Sequence, residues 1–274
     1  MKSDMISKVL ASFTVILLLM TGGPAFCQQS HKSVNVVILG DSITWLGGDD
    51  CSKPKGWNTW FKERFNPASC RSYARSGATW TNTPSTKYNV VEKVGMVSND
   101  NVIYNQINRL LDATRNGTQV KPDLILIAAG TNDAWFEKKY RPDTFSETAE
   151  QAFSDLSGFS TSRKVSEIVS LAASVRYGCE MLMQNFPNAQ IILLTPLQST
   201  QVPRGNIRKA GDIIEACAHY LSVGCIRQDF ECSVYCVQEA VSKNNTYDGT
   251  HTSEAGARRN GYYIANKVSS MLQM

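Results

Sequence analysis

Three side chains in this sequence have the types needed to move an acyl group: a hydroxyl at Ser42, a carboxylate at Asp248 and an imidazole at His251. A serine hydroxyl is a poor nucleophile until a base takes its proton, and imidazole does this near neutral pH. Asp248, three residues before His251, can accept from the other ring nitrogen and hold the tautomer, the orienting role in a Ser–His–Asp triad. Charge building on a substrate carbonyl oxygen then needs preset donors. The main-chain N–H groups of Ser42 and Gly77 and the side-chain amide of Asn132 are the candidates, and losing one such donor costs about 2.7–4 kcal/mol of transition-state stabilisation. His31 lies in a polar lead-in and His219 inside an amphipathic pattern, which leaves His251 as the base. Each residue also has a plain structural reading. Ser42 can cap a helix, Asp248 can cap the last helix and His251 can begin it. Asp41 and Asp133 read as turn-stabilising carboxylates.

The elements around these residues place them at one edge. Val36-Val37-Ile38-Leu39 is an apolar run ended by Gly40, which predicts a buried parallel strand with Ser42 just past its carboxyl end. A second strand is expected over 69–75, ending at Ser76-Gly77, and a third over 123–129, ending at Gly130-Thr131-Asn132-Asp133. Further strands are expected over 189–195 and 224–228. Between them lie helical patterns at 56–65, 103–114, 163–185 and 206–220, with a last helix over 253–272. The polar, irregular stretch 134–160, with Pro142 and Gly158, reads as an insertion or lid. Strands alternating with helices predict a three-layer α/β/α sandwich with a mainly parallel five-stranded sheet. Parallel strands put all their carboxyl ends on one rim, so four distant loops can converge there.

These residues resemble the SGNH hydrolases, also called GDSL esterases. Gly40-Asp41-Ser42-Ile43 looks like that family's nucleophile block, Ser76-Gly77 its glycine block, Gly130-Thr131-Asn132-Asp133 its asparagine block, and Asp248-Gly249-Thr250-His251 its D-x-x-H block. The resemblance runs from residue 36 to the end, in the family's order. It implies a flavodoxin-like sandwich, with Ser42 as nucleophile, His251 as base, Asp248 as orienter, and Gly77 and Asn132 as oxyanion donors. Ile43 stands where the family's short name has leucine. The stretches 134–160 and 217–236 lie outside the blocks and bear on substrate geometry.

A tryptophan follows three of the blocks at the same distance: Trp45 after Ser42, Trp80 after Gly77 and Trp135 after Asn132. Flat aromatic faces there can wall a site for a sugar ring or acyl chain, or can simply pack the loops.

The amino terminus reads as an address. Lys2 and Lys8 precede an apolar run from Val9 to Met20 that is shorter than the ~20 residues of a membrane span. With Ala25-Phe26-Cys27 following, residues 1–27 are read as a secretory signal peptide and 28–274 as one domain. Lipid attachment at Cys27 and an uncleaved anchor are the alternatives. Export gives the other cysteines a reason to pair, with one left over. Cys51 with Cys70, Cys217 with Cys225 and Cys232 with Cys236 are the pairs closest in sequence. The rival, zinc held by the last four, lacks paired C-x2-C knuckles. Asn116-Gly117-Thr118 and Asn244-Asn245-Thr246 match the glycosylation pattern, which matters only in a eukaryotic secretory route.

A net charge of +4 on 274 residues, with no dense basic run, does not point to nucleic acid. The expectation is an exported serine esterase needing no metal or other cofactor, removing small acyl groups such as acetyl from carbohydrate. Alternatives are a lipase or lysophospholipase of the same family, an acyltransferase, and a catalytically silent glycan-binding module.

Overall fold

The computed structural model describes residues 33–93 and 97–272. The expected signal peptide, with Cys27 and His31, lies outside them. In chain order the elements are β1 (Asn35–Gly40), α1 (Ser42–Trp45), α2 (Trp57–Phe65), β2 (Ser69–Ser72), α3 (Ile103–Arg115), β3 (Leu124–Ala128), α4 (Thr131–Phe136), α5 (Ala149–Ala152), α6 (Leu171–Asn185), β4 (Gln190–Leu194), α7 (Arg204–Leu221), β5 (Gly224–Ile226), α8 (Gln228–Glu231), α9 (Cys236–Ser242) and α10 (Glu254–Leu272). All strand pairs are parallel and the sheet order is β2-β1-β3-β4-β5.

The strands are apolar on both faces because helices cover both. Val37, Leu39, Ile125, Ile127, Ile191 and Leu193 face one layer, meeting Ile107 and Leu110 of α3, Val175 of α6 and Ile214 of α7. The alternate residues Val36, Ile38, Leu124, Leu126, Ile192 and Leu194 face the other, against Trp57, Phe61 and Phe65 of α2 and Ile264 and Val268 of α10. In this order the chain reverses direction across the sheet between β1 and β3, and the crevice outside their carboxyl ends is where open α/β sheets bind ligands. Gly40 ends β1 there, and only a glycine fits: a Cβ would lie 2.6 Å from the Ala128 carbonyl oxygen.

One helix boundary is corrected. The helix expected from residue 163 begins at Leu171, where the Ser170 hydroxyl accepts from the Ala173 N–H; Ser160–Ser162 and Val165–Glu167 are separate 3₁₀ turns. The 152–160 stretch wraps onto α6, because the Arg176 guanidinium donates to the carbonyls of Ala152, Asp155 and Gly158 while pairing with Glu180. The seven described cysteines are all free. Cys217 faces the Ala172 carbonyl and Cys232 the Asn260 side chain, so nearness in sequence does not bring these two to their expected partners. Cys51 and Cys70 do meet, sulfur to sulfur at 3.6 Å.

Candidate active site

Ser42 opens the four-residue helix α1, and the Asp41 carboxylate caps that helix by accepting the Ile43 N–H at 3.0 Å. From there the Ser42 hydroxyl reaches His251 Nε2 at 2.9 Å across 209 residues of chain. On the other side of the ring, Nδ1 stands 2.7 Å from Asp248 Oδ2. The second oxygen, Asp248 Oδ1, accepts the main-chain N–H groups of Thr250 and His251 at 2.9 and 2.7 Å. One carboxylate thus orients the ring and closes the turn that carries it. Burial pushes the Asp248 carboxyl up, but the bonds from the His251 ring and the two N–H groups outweigh it and hold it below its ordinary value.

The 246–252 turn has its own supports. Glu239 of α9, fully buried, accepts the main-chain N–H groups of Asn245 and Thr246 and the Thr246 hydroxyl. Across the turn, the Gln201 side chain donates to the Asp248 carbonyl, and the Thr252 hydroxyl to that of Lys55. Tyr247, half exposed, lies parallel to the His251 ring at 5.8 Å between centroids, with the Lys55 ammonium 4.9 Å from the Tyr247 ring. Neither Glu239 nor Tyr247 is marked by its sequence context: one reads as a solvated helix charge, the other as a loop aromatic.

The donor side is assembled by β2 and β3. Gly77 follows β2 with φ at +73°, a left-handed backbone that suits glycine. Asn132 lies in the first turn of α4, and its amide donates to the Ala78 carbonyl at 2.9 Å, which fixes the side chain beside the Gly77 turn. The next residue, Asp133, is buried and accepts the N–H groups of Trp80 and Thr81 at 3.0 and 2.9 Å. Asn132 and Asp133 together therefore tie the loop after β2 to the end of β3. Among the described residues, the main-chain N–H groups of Ser42 and Gly77 have no protein acceptor, so both can serve an incoming oxygen.

The three tryptophans divide. Trp45 and Trp135 are half-buried, and Trp135 stacks on Phe136 at 5.4 Å. Trp80 is 1% exposed and packs in the core, where Gly178 of α6 leaves room for its ring. The expectation that Trp80 lines a substrate site is therefore corrected: the main-chain N–H groups of Trp80 and Thr81 donate to Asp133, which turns that part of the loop inward.

The sequence matches a family model, that of the GDSL-like lipase/acylhydrolase family, over residues 38–259. The chain belongs to that family. This GDSL-like chain is similar in fold to a possible lipase from Chitinophaga pinensis DSM 2588, at 16% identity and a TM-score of 0.54, covering 88% of this chain and 99% of that one. An acetyl xylan esterase is similar at 17% identity and a TM-score of 0.51, over 87% and 100% of the two chains. A carbohydrate acetylesterase from Sinorhizobium meliloti is similar at 15% identity and 0.51, over 87% and 100%. No curated protein matches the GDSL-like chain in sequence.

Asp41 separates the stability of this GDSL-like site from its geometry. Burial pushes its carboxyl up to about 6, against the opposing pull of the Ile43 N–H, the Thr131 hydroxyl and His251. A raised carboxyl binds more protons in the folded state between pH ~4 and ~6, so stability falls as pH rises through that window. A rise of that size corresponds to roughly 3 kcal/mol. Asp41→Asn keeps an oxygen for the Ile43 N–H and removes the buried charge. It is expected to match the native protein in urea unfolding at pH 4 and to exceed it by roughly 3 kcal/mol at pH 7. A difference that stays flat with pH would show that Asp41 is not the titrating group.

Proposed function

We propose that the chain is an exported serine esterase that cleaves esters through an acyl-enzyme on Ser42, and that it removes small acyl groups such as acetyl from carbohydrate. The observation that carries this reading is the Ser42–His251–Asp248 array, with contacts of 2.9 and 2.7 Å. His251 takes the Ser42 proton as the oxygen attacks the ester carbon, and Asp248 stabilises the imidazolium that forms. The N–H groups of Ser42 and Gly77 and the Asn132 amide receive the carbonyl oxygen as it becomes an oxyanion. His251 then gives its proton to the departing alcohol. Water repeats the sequence on the acyl-serine and releases the acid.

The substrate side rests on the openness of the rim. The side chains of His251 and Asp248 are 24% and 41% exposed, and Tyr247 is half exposed beside them. An open rim admits a bulky glycan while a small acyl group enters the catalytic contacts. Two of the proteins it resembles in fold are an acetyl xylan esterase and a carbohydrate acetylesterase, which agrees with this choice. Export would place Cys51 and Cys70 in an oxidising compartment, where they are the pair positioned to close. The intact mass of the exported protein reads both cleavage and pairing.

The test is a fluorophosphonate probe combined with nitrophenyl esters of graded chain length. Labelling at Ser42 and faster hydrolysis of acetyl than of long-chain ester are expected. Preference for the long chain would favour a lipase, and absence of labelling would leave a silent binding module.

A further inference from the structure

We infer that Gln106 is a positioning residue for this reaction, one that fixes the Ser42 turn and, through Asn101, the Gly77 turn relative to each other. The inference rests on the esterase reading above. Gln106 lies in the first turn of α3, fully buried, and its amide is spent entirely on main chain. Its Oε1 accepts the Gly40 N–H at 2.9 Å, and its Nε2 donates to the Gly40 carbonyl at 2.8 Å and to the Asn101 carbonyl at 2.9 Å. A single side chain thereby holds both polar groups of the residue two before Ser42. The Gly40 carbonyl also accepts the Arg75 N–H at 3.1 Å, so the same atom links to the strand end that leads into Gly77.

Asn101 completes the brace. It too is fully buried, and its amide donates to the Ser76 carbonyl at 2.9 Å and to the Lys93 carbonyl. The path from the nucleophile to the glycine donor therefore runs Gly40–Gln106–Asn101–Ser76, with a hydrogen bond or the main chain at every step. A helix packed against the sheet face supplies no such tie by apolar contact alone. Ser42 and Gly77 must present two N–H groups to one oxygen, and a displacement of about 1 Å in such an arrangement costs on the order of 100-fold in rate.

None of these bonds touches substrate, so the expected signature lies in kcat. Gln106→Leu removes all three bonds and is expected to lower kcat for nitrophenyl acetate by 10- to 100-fold with KM within about twofold. A purely structural role is checked with Leu110→Ala, a core change on the same helix. That variant is expected to lose melting temperature while kcat, measured well below melting, stays near native. If Gln106→Leu behaves like Leu110→Ala, losing stability and keeping kcat, the inference is overturned.

Gln106→Glu decides the matter even if the leucine variant does not fold. An ionised carboxylate can accept from Gly40 N–H but cannot donate to the Gly40 and Asn101 carbonyls; a protonated one regains a donor. Its activity relative to the native protein is expected to rise as pH falls from 8 to 5.5, since burial makes protonation easier. A ratio independent of pH overturns the brace. Failure of the esterase reading looks different, because the native protein itself would then neither hydrolyse ester nor take the fluorophosphonate label.

Discussion

Ser42→Ala and His251→Ala are each expected to lower kcat for ester hydrolysis by about 10⁴- to 10⁶-fold, with the double variant no slower than the worse single one. The two groups share one proton across 2.9 Å. Without the imidazole, the hydroxyl stays protonated at neutral pH and attacks poorly; without the hydroxyl, the base has no nucleophile to activate. Removing the second partner after the first takes away nothing that still works. A residual rate of about 10³–10⁴ over water survives in all three, supplied by the oxyanion donors and binding. Ser42 is 8% exposed and its hydroxyl bonds to His251, so the alanine variant keeps its caps and its strand. Its melting temperature should lie close to native, which separates lost chemistry from lost fold. Steady-state kinetics on the three variants provide the check. Losses that add in the double variant would mean that the residues act independently, and the acyl-enzyme reading would fall.

The parts of this site that follow from the parallel sheet were readable from sequence. Val36 to Leu39 and Leu124 to Ala128 are unbroken apolar runs because helices bury both their faces, and that pattern also sets the rim on which Ser42 and Asn132 lie. What was not readable depends on direction or on distant partners. Trp45, Trp80 and Trp135 share one spacing, yet Trp80 turns into the core because a carboxylate 53 residues later captures its N–H. Gln106 looks like any polar residue on an amphipathic helix, since its partner Gly40 is 66 residues away. Glu239 is similar: a charge on the short helix α9, legible as a support only when the 246–252 turn is seen folded over it. The helix expected from residue 163 failed for a local reason. Val165 and Ile168 continue the apolar spacing, but Ser170 offers a cap that starts the helix afresh. Cysteine spacing did not fix the pairs, because seven residues between Cys217 and Cys225 and three between Cys232 and Cys236 do not set which way a side chain points.

Asp248→Asn is expected to lower kcat by about 10³- to 10⁴-fold while leaving KM and melting temperature near native. The two oxygens of this carboxylate have separate tasks. Oδ1 holds the Thr250 and His251 N–H groups, and an asparagine oxygen placed there keeps both bonds and the turn. Oδ2 faces His251 Nδ1 at 2.7 Å, and the amide nitrogen that replaces it is a donor. A donor at that position favours the tautomer with its proton on Nε2, which then points at the Ser42 hydroxyl and cannot take its proton. The imidazolium formed during attack also loses its countercharge. Because Asp248 is partly open to solvent, water screens some of this effect, which places the expected loss below that of a fully buried orienter. Asp248→Ala separates the two tasks: it frees the tautomer but also opens the turn, so KM and melting temperature should move with kcat. An asparagine variant as active as the native protein would show that the ring needs no orienting acceptor, and that Asp248 merely closes the loop that carries it.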